Sequence, residues 1–230
     1  MRKFISVLGA LGIGTTVTAA PVVVGDDACP TYAVDIESFA TCDGDRVAMP
    51  AGMQLGPGIL LAEDAVPENK RTFSALYTDS ARAYAIKRAY PDEVVLVDIR
   101  SGVELSLTGH AQPIDLNVAY LEFVQPLSWD EPAGDWKMAA TPRFAAQLDE
   151  RLRQRGATHD TVVMLICRAG VRSARAADEL SQLGYRRVVS VVDGYEGDLG
   201  EDGRRSLNGW KNAGLPWTAH VNTALITGAR

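Results

Sequence analysis

Hydrophobic positions along the chain fall into two kinds of run. Residues 94–100, 161–166 and 187–193 are short, nearly continuous apolar stretches rich in β-branched residues. That is the pattern of parallel strands covered on both faces. Between them, apolar residues recur at helical spacing. Ala81, Tyr84 and Ala85 follow the start signal Thr78-Asp79-Ser80 and precede Pro91. Phe144, Leu148 and Leu152 follow Thr141-Pro142 and precede Gly156, and Ala176, Leu180 and Leu183 precede Gly184. A further helix is expected over 205–213, with Leu207, Trp210 and Lys211 near one face. Strand-like runs alternating with helices predict a three-layer α/β fold around a central, mostly parallel sheet with right-handed crossovers.

The ends read differently. Arg2-Lys3, an apolar stretch from Phe4 to Gly14 and the small residues before Ala20 make residues 1–19 a secretory signal peptide, with cleavage after Ala19. The apolar stretch is well short of the ~20 residues that span a bilayer, so no stable membrane anchor is expected. Residues 20–72 form an N-terminal extension broken by Pro50, Gly52, Gly56, Pro57, Gly58 and Pro67, which suits loops and short strands packed on the domain. Residues 219–230 are a tail without a strong signal.

Composition narrows the partners. With 47% hydrophobic and 23% charged residues, the chain can build one good core. The formal net charge is −6, and it becomes −8 once Arg2 and Lys3 leave with the signal. That argues against nucleic acid and anionic membrane surfaces. The three cysteines agree with export to a periplasmic or secreted location. Cys29 and Cys42 flank a short polar segment that an oxidising compartment would close as a disulfide, and no histidines stand near enough to make them half of a metal site.

The third cysteine carries the chemistry. Cys167 ends one apolar run, and a helix begins a few residues later, so the thiol sits between a strand's carboxyl end and a helix's amino end. Loop amides converging there stabilise negative charge, and Arg168 and Arg172 add two cations, which favours a nucleophilic thiolate. The plain alternative is a small buried hydrophobe. Cysteine phosphatases place five residues between the Cys and the Arg of their phosphate loop. Here four separate Cys167 from Arg172, which implies a smaller cradle.

Cys167-Arg168-Ala169-Gly170-Val171-Arg172-Ser173 resembles the active-site loop of rhodanese-type sulfurtransferases. Three other motifs of that family stand in the same order. They are Asp98-Ile99-Arg100 with the later Gly109-His110, the turn Asp193-Gly194-Tyr195-Glu196-Gly197, and the closing Gly209-Trp210 to Ala213-Gly214-Leu215-Pro216. The resemblance implies a single rhodanese-like domain over 73–218, with an enlarged insertion at 111–140 whose Trp129 and Trp136 would pack on the domain.

It further implies an enzyme that moves a sulfane sulfur from a small anionic donor such as thiosulfate to a thiol or cyanide acceptor. Cys167 would carry the persulfide, the loop residues Arg168, Ala169, Gly170, Val171, Arg172 and Ser173 would bind substrate, and Asp98 and Arg100 would brace the loops. His110 is expected to be a hydrogen-bonded turn residue. No metal or organic cofactor is required. A non-catalytic sulfur carrier or partner-binding module of an exported redox system, and a small-anion phosphatase or arsenate reductase, remain open, as does a protein partner.

Overall fold

The computed structural model describes residues 60–226. The signal peptide and the Cys29–Cys42 pairing lie outside the described residues. Five strands form one sheet: β1 (Tyr77–Thr78), β2 (Val94–Asp98), β3 (Leu116–Asn117), β4 (Val162–Ile166) and β5 (Val188–Val191). Their order is β1-β5-β4-β2-β3, and every neighbouring pair is parallel. The expected α/β architecture is therefore present, with the sheet wholly parallel.

Four helices accompany it: α1 (Ser80–Ala89), α2 (Gly102–Thr108), α3 (Phe144–Gln154) and α4 (Val171–Gln182). Alternate strand residues point to opposite layers. Val95, Val97, Val163, Leu165 and Val188 bury Phe144, Leu148 and Leu152 of α3 and Ala176, Ala177 and Leu180 of α4. Leu96, Met164, Val189 and Val191 face Ala83 and Ile86 of α1 together with Trp210 and Leu215. Each large side chain fully buried this way contributes about 1.5–3 kcal/mol. All five residues of β2 and of β4 are buried, which is why their sequences do not alternate.

Two helix ends follow local chemistry. Asp79 caps α1 by accepting the Arg82 N–H, as the Thr78-Asp79-Ser80 signal implies. Ser101 and Glu104 close a reciprocal capping box on α2, a helix that hydrophobic periodicity did not announce. The helix expected over 205–213 does not form. Trp210 and Lys211 give their N–H groups to the carbonyls of Gly194 and Tyr195, at 2.9 and 3.0 Å, so long-range bonds replace the local ladder and the segment is a series of turns. Trp210 is fully buried, edge-on to Tyr84, and donates Nε1–H to the Pro216 carbonyl at 2.7 Å.

The stretch beyond β3 is an antiparallel ribbon. Leu121–Phe123 pairs with Met138–Ala140, and further out Trp129–Asp130 pairs with Asp135–Trp136. Trp129 and Trp136 are direct cross-strand partners, packed edge to face at 5.4 Å and each 44% exposed. They pack on each other, contrary to the expectation that they would cover the domain, because the register sets them opposite one another on a two-stranded arm. The tail is also more ordered than its sequence suggests. Asn222 caps a turn at Thr223–Leu225, Leu225 packs on the core, and Ile226 bridges to Asn117.

Candidate active site

Neighbouring strands β4 and β2 send their chains in opposite directions, β4 through α4 to β5 and β2 through α2 to β3. A parallel sheet opens a crevice at the carboxyl ends of such a strand pair. Cys167 follows β4 there, and Asp98 ends β2 beside it, its partner across the ladder being Ile166.

Cys167 is 1% exposed, at the floor of the loop that leads into α4. The Gly170 N–H donates to its Sγ at 3.1 Å, and Ser173 Oγ lies 3.7 Å away as a second partner. Ser173 Oγ is itself fixed, donating to the Gly170 carbonyl at 2.9 Å and lying 3.0 Å from Ser190 Oγ of β5. Gly170 is the N-cap of α4 with φ of +92°. A Cβ there would overlap the Val192 carbonyl, coming within 2.6 Å of its carbon, so the loop needs glycine for both conformation and space. Val171, Arg172 and Ser173 form the first helical turn, whose amides have no intrahelical acceptor.

The outer side of the loop is held by the turn after β5. Tyr195 N–H donates to the Cys167 carbonyl at 2.8 Å, and the Glu196 and Gly197 amides donate to the Arg168 carbonyl at 3.0 and 3.2 Å. With these carbonyls engaged by the turn, the Gly170 amide is left to meet the sulfur. Gly194 makes the approach possible, since a Cβ on it would stand 2.6 Å from both the Ala169 nitrogen and the Cys167 carbonyl oxygen. Asp193 anchors the turn. Its Oδ1 accepts from the Ser80 amide and hydroxyl, both at 2.8 Å, and its Oδ2 from the Gly209 amide at 3.1 Å. Burial pushes its carboxyl up to about 6, with the Ser80 bonds opposing.

Asp98 and Arg100 form a completely buried pair. Arg100 Nη2 meets Asp98 Oδ2 at 2.6 Å, Nη1 donates to Thr108 Oγ1 at 2.9 Å, and Nη2 also reaches the Gly109 carbonyl at 3.0 Å. The guanidinium stacks 3.9 Å over the Tyr195 ring. Burial opposes its charge, but Asp98 outweighs that and raises its pKa. The pair thus ties α2 and the following Gly109 to the turn that clamps the Cys167 loop. His110 is buried, with Nδ1–H donating to the Ala111 carbonyl at 2.9 Å and Nε2 without a partner.

The two loop arginines both hold carboxylates. Arg172 makes a bidentate pair with Glu104, Nη2 to Oε1 at 2.6 Å and Nη1 to Oε2 at 2.9 Å, with both side chains largely buried. Burial opposes the Glu104 charge, yet the bonds from Arg172 hold its carboxyl below the usual range. Burial opposes the Arg172 charge too, but Glu104 outweighs it and raises the guanidinium. Arg168 reaches Asp135 of the ribbon at 3.2 Å, a pair open to solvent. Sequence reasoning placed both arginines at the cysteine as open cations and missed both partners. The spacing Ser101-x-x-Glu104 was the available signal for Glu104, whereas nothing local marks Asp135. Ser190 was read only as a strand residue, and no local feature pairs it with Ser173.

No protein-family model matches the chain. Among curated proteins it is similar to the uncharacterized protein RP600 of Rickettsia prowazekii, 38% identical over 58 residues, which is 25% of this chain and 42% of that protein. It is also similar to an uncharacterized protein of Rickettsia montanensis encoded in the dnaA 5' region, 36% identical over 56 residues, 24% of this chain and 41% of that protein. The chain spans less than half the length of these relatives.

Among solved structures it is similar to Rv0390 from M. tuberculosis, with 24% identity and a TM-score of 0.48 over 63% of this chain and 97% of that one. The polysulfide-sulfur transferase homodimer from Wolinella succinogenes gives 19% identity and a TM-score of 0.39 over 63% and 79%. RPA3614 of Rhodopseudomonas palustris, described as a possible tyrosine phosphatase, gives 23% and 0.35 over 74% and 100%.

Proposed function

We propose that the protein is a sulfurtransferase whose Cys167 carries a persulfide between a small anionic sulfane donor, such as thiosulfate, and a thiol or cyanide acceptor. The observation that carries this reading is the Gly170 N–H donating to Cys167 Sγ at 3.1 Å, at the base of a short loop whose carbonyls are held outward. That arrangement stabilises charge on the sulfur and on one further atom attached to it.

In the first half-reaction the Cys167 thiolate attacks the outer sulfur of thiosulfate. An Sγ–S bond forms, the donor's S–S bond breaks, and its electron pair leaves with sulfite. In the second, the acceptor attacks the outer sulfur of the persulfide and the thiolate returns. No external oxidant is needed. The loop is one residue shorter than a phosphate cradle, which favours sulfur over phosphoryl transfer. Because Cys167 is almost fully covered, a donor approaches end-on with its sulfane sulfur leading.

Thiocyanate formation from thiosulfate and cyanide tests the reading. Cys167→Ser is expected to abolish turnover, and Arg172→Ala to weaken donor use. Unchanged turnover in the serine variant would contradict the mechanism. A second reading, a sulfur carrier that docks on a protein, is favoured by the tryptophan-bearing ribbon, since its Asp135 touches Arg168 of the loop. In that case sulfur reaches Cys167 only from the partner, and small donors give no turnover.

A further inference from the structure

The cations chosen from sequence to meet a donor anion are already committed. Arg172 is locked to Glu104, and Arg168 is bridged to Asp135. A third arginine is not. Arg205 lies in the loop that follows the clamp turn, and its Nη1 donates to the Gly197 carbonyl at 2.7 Å. Gly197 in turn gives its own N–H to the Arg168 carbonyl, so one residue ties Arg205 to the residue after Cys167.

The backbone around Arg205 is held in place. Leu199 and Arg205 form an antiparallel bridge, and the Gly200 N–H donates to the Arg204 carbonyl at 2.7 Å. Asn212 Nδ2 donates to the carbonyls of Glu196, Arg205 and Asn208. A long side chain on such a scaffold loses little further freedom when it binds.

Its surroundings favour an anion. Among the described residues no ion pair joins Arg205 to a carboxylate, and Asp198 is held by Lys70 at 2.7 Å and by Asn208 at 3.0 Å. Glu196 is directed toward Arg100, 4.0 Å away. Burial first, and then the charge of Arg168, hold Arg205 below its ordinary pKa, with Arg172 adding to the repulsion and Glu196 and Asp198 opposing it. The charges of Arg168 and Arg172 both act on Arg205, and an anion bound beside its guanidinium relieves that repulsion.

We infer that Arg205 is a donor-binding residue, taking the anionic end of the sulfur donor while the sulfane sulfur points to Cys167. This rests on the sulfurtransferase reading for the identity of the ligand, but the attraction it describes is a property of the mouth alone. On this view Arg168 is the adjustable partner, exchanging its solvent-open bond to Asp135 for the donor, whereas Arg172 stays with Glu104 and fixes the helix start. The group recognised is a small, singly or doubly charged sulfur oxyanion or polysulfide terminus.

The test compares two alkylating agents on Cys167 at low ionic strength, iodoacetate and the neutral iodoacetamide, in the full chain and in Arg205→Gln and Arg205→Lys. An anion drawn to the mouth should react faster than its neutral twin. The expected result is a fall of about tenfold in the iodoacetate-to-iodoacetamide rate ratio for R205Q, partial recovery in R205K, and an unchanged iodoacetamide rate. R205Q removes the Nη1 bond to the Gly197 carbonyl as well as the charge, so its melting temperature and its iodoacetamide rate together check that the loop persists.

The KM for thiosulfate should rise in R205Q with little change in kcat. An unchanged rate ratio, or an equal loss of both alkylation rates, overturns the inference. If the ratio falls while no variant, wild type included, turns over any small donor, the anion site stands and the sulfurtransferase reading fails.

Discussion

The pair between Glu104 and Arg172 offers the sharpest test of how the loop is held. Glu104 accepts four hydrogen bonds: from the Ser101 amide at 2.9 Å, the Ser101 hydroxyl at 3.1 Å and the two Arg172 nitrogens at 2.9 and 2.6 Å. One carboxylate therefore caps α2 and anchors the first turn of α4, the turn that follows the Cys167 loop. Glu104→Gln keeps the shape and part of the cap but removes the charge, leaving Arg172 buried without its counter-ion. Breaking one side of a buried pair costs about 3–5 kcal/mol. For a domain of this size that is a loss of roughly 6–20 °C in melting temperature.

The pH dependence has a definite sign. Glu104 is held below the usual carboxylate range. Its contribution is therefore complete above the unfolded pKa and is lost as pH falls through the folded value. The gap between wild type and E104Q should thus be full at neutral pH and close below about pH 4. Chemical unfolding of wild type, E104Q, Arg172→Met and the double variant, across pH, measures both gap and coupling. A neutral-pH gap under about 0.5 kcal/mol, or additivity of the two single changes to that precision, would refute the assignment.

Other outcomes follow from the same geometry. Asp193 has a folded pKa raised to about 6, so the folded state binds a proton the unfolded chain has released, and stability falls by roughly 3 kcal/mol as pH rises from about 4 through 6. Asp193→Asn should flatten that part of the urea-unfolding profile, and a retained slope would exclude it as the source. Gly170→Ala forces a side chain into a left-handed position against the Val192 carbonyl. It is expected to cost more than about 2 kcal/mol and to change Cys167 alkylation, with neutral behaviour in both contradicting the cradle geometry. Trp210→Ala empties a fully buried site bordered by Tyr84 and should cost about 3–5 kcal/mol by chemical unfolding, whereas less than about 1 kcal/mol would show the site collapses.

What could be read from the sequence was local or periodic. The apolar runs at β2, β4 and β5 have no polar interruption beyond Ser190, and the Asp79 cap and the phase of Phe144, Leu148 and Leu152 need only nearest-neighbour physics. Cys167 was legible for the same reason, lying where a buried strand stops and a helix starts. What could not be read is what depends on distant residues. Arg172 finds Glu104 across 68 positions, and Arg168 finds Asp135 across 33. The expected helix around Trp210 gave way because Gly194 and Tyr195 supply acceptors for its amides. Arg205 went unremarked because its meaning lies in the neighbours the fold gives it.

The most direct measurement is the intact mass of the purified protein before and after thiosulfate, then after cyanide with thiocyanate assayed in the released solution. The account predicts a gain of one sulfur atom on Cys167, absent in Cys167→Ser, and its release as thiocyanate. No gain from thiosulfate or from polysulfide, with Cys167 free and still open to alkylation, would contradict the persulfide at the centre of the proposal.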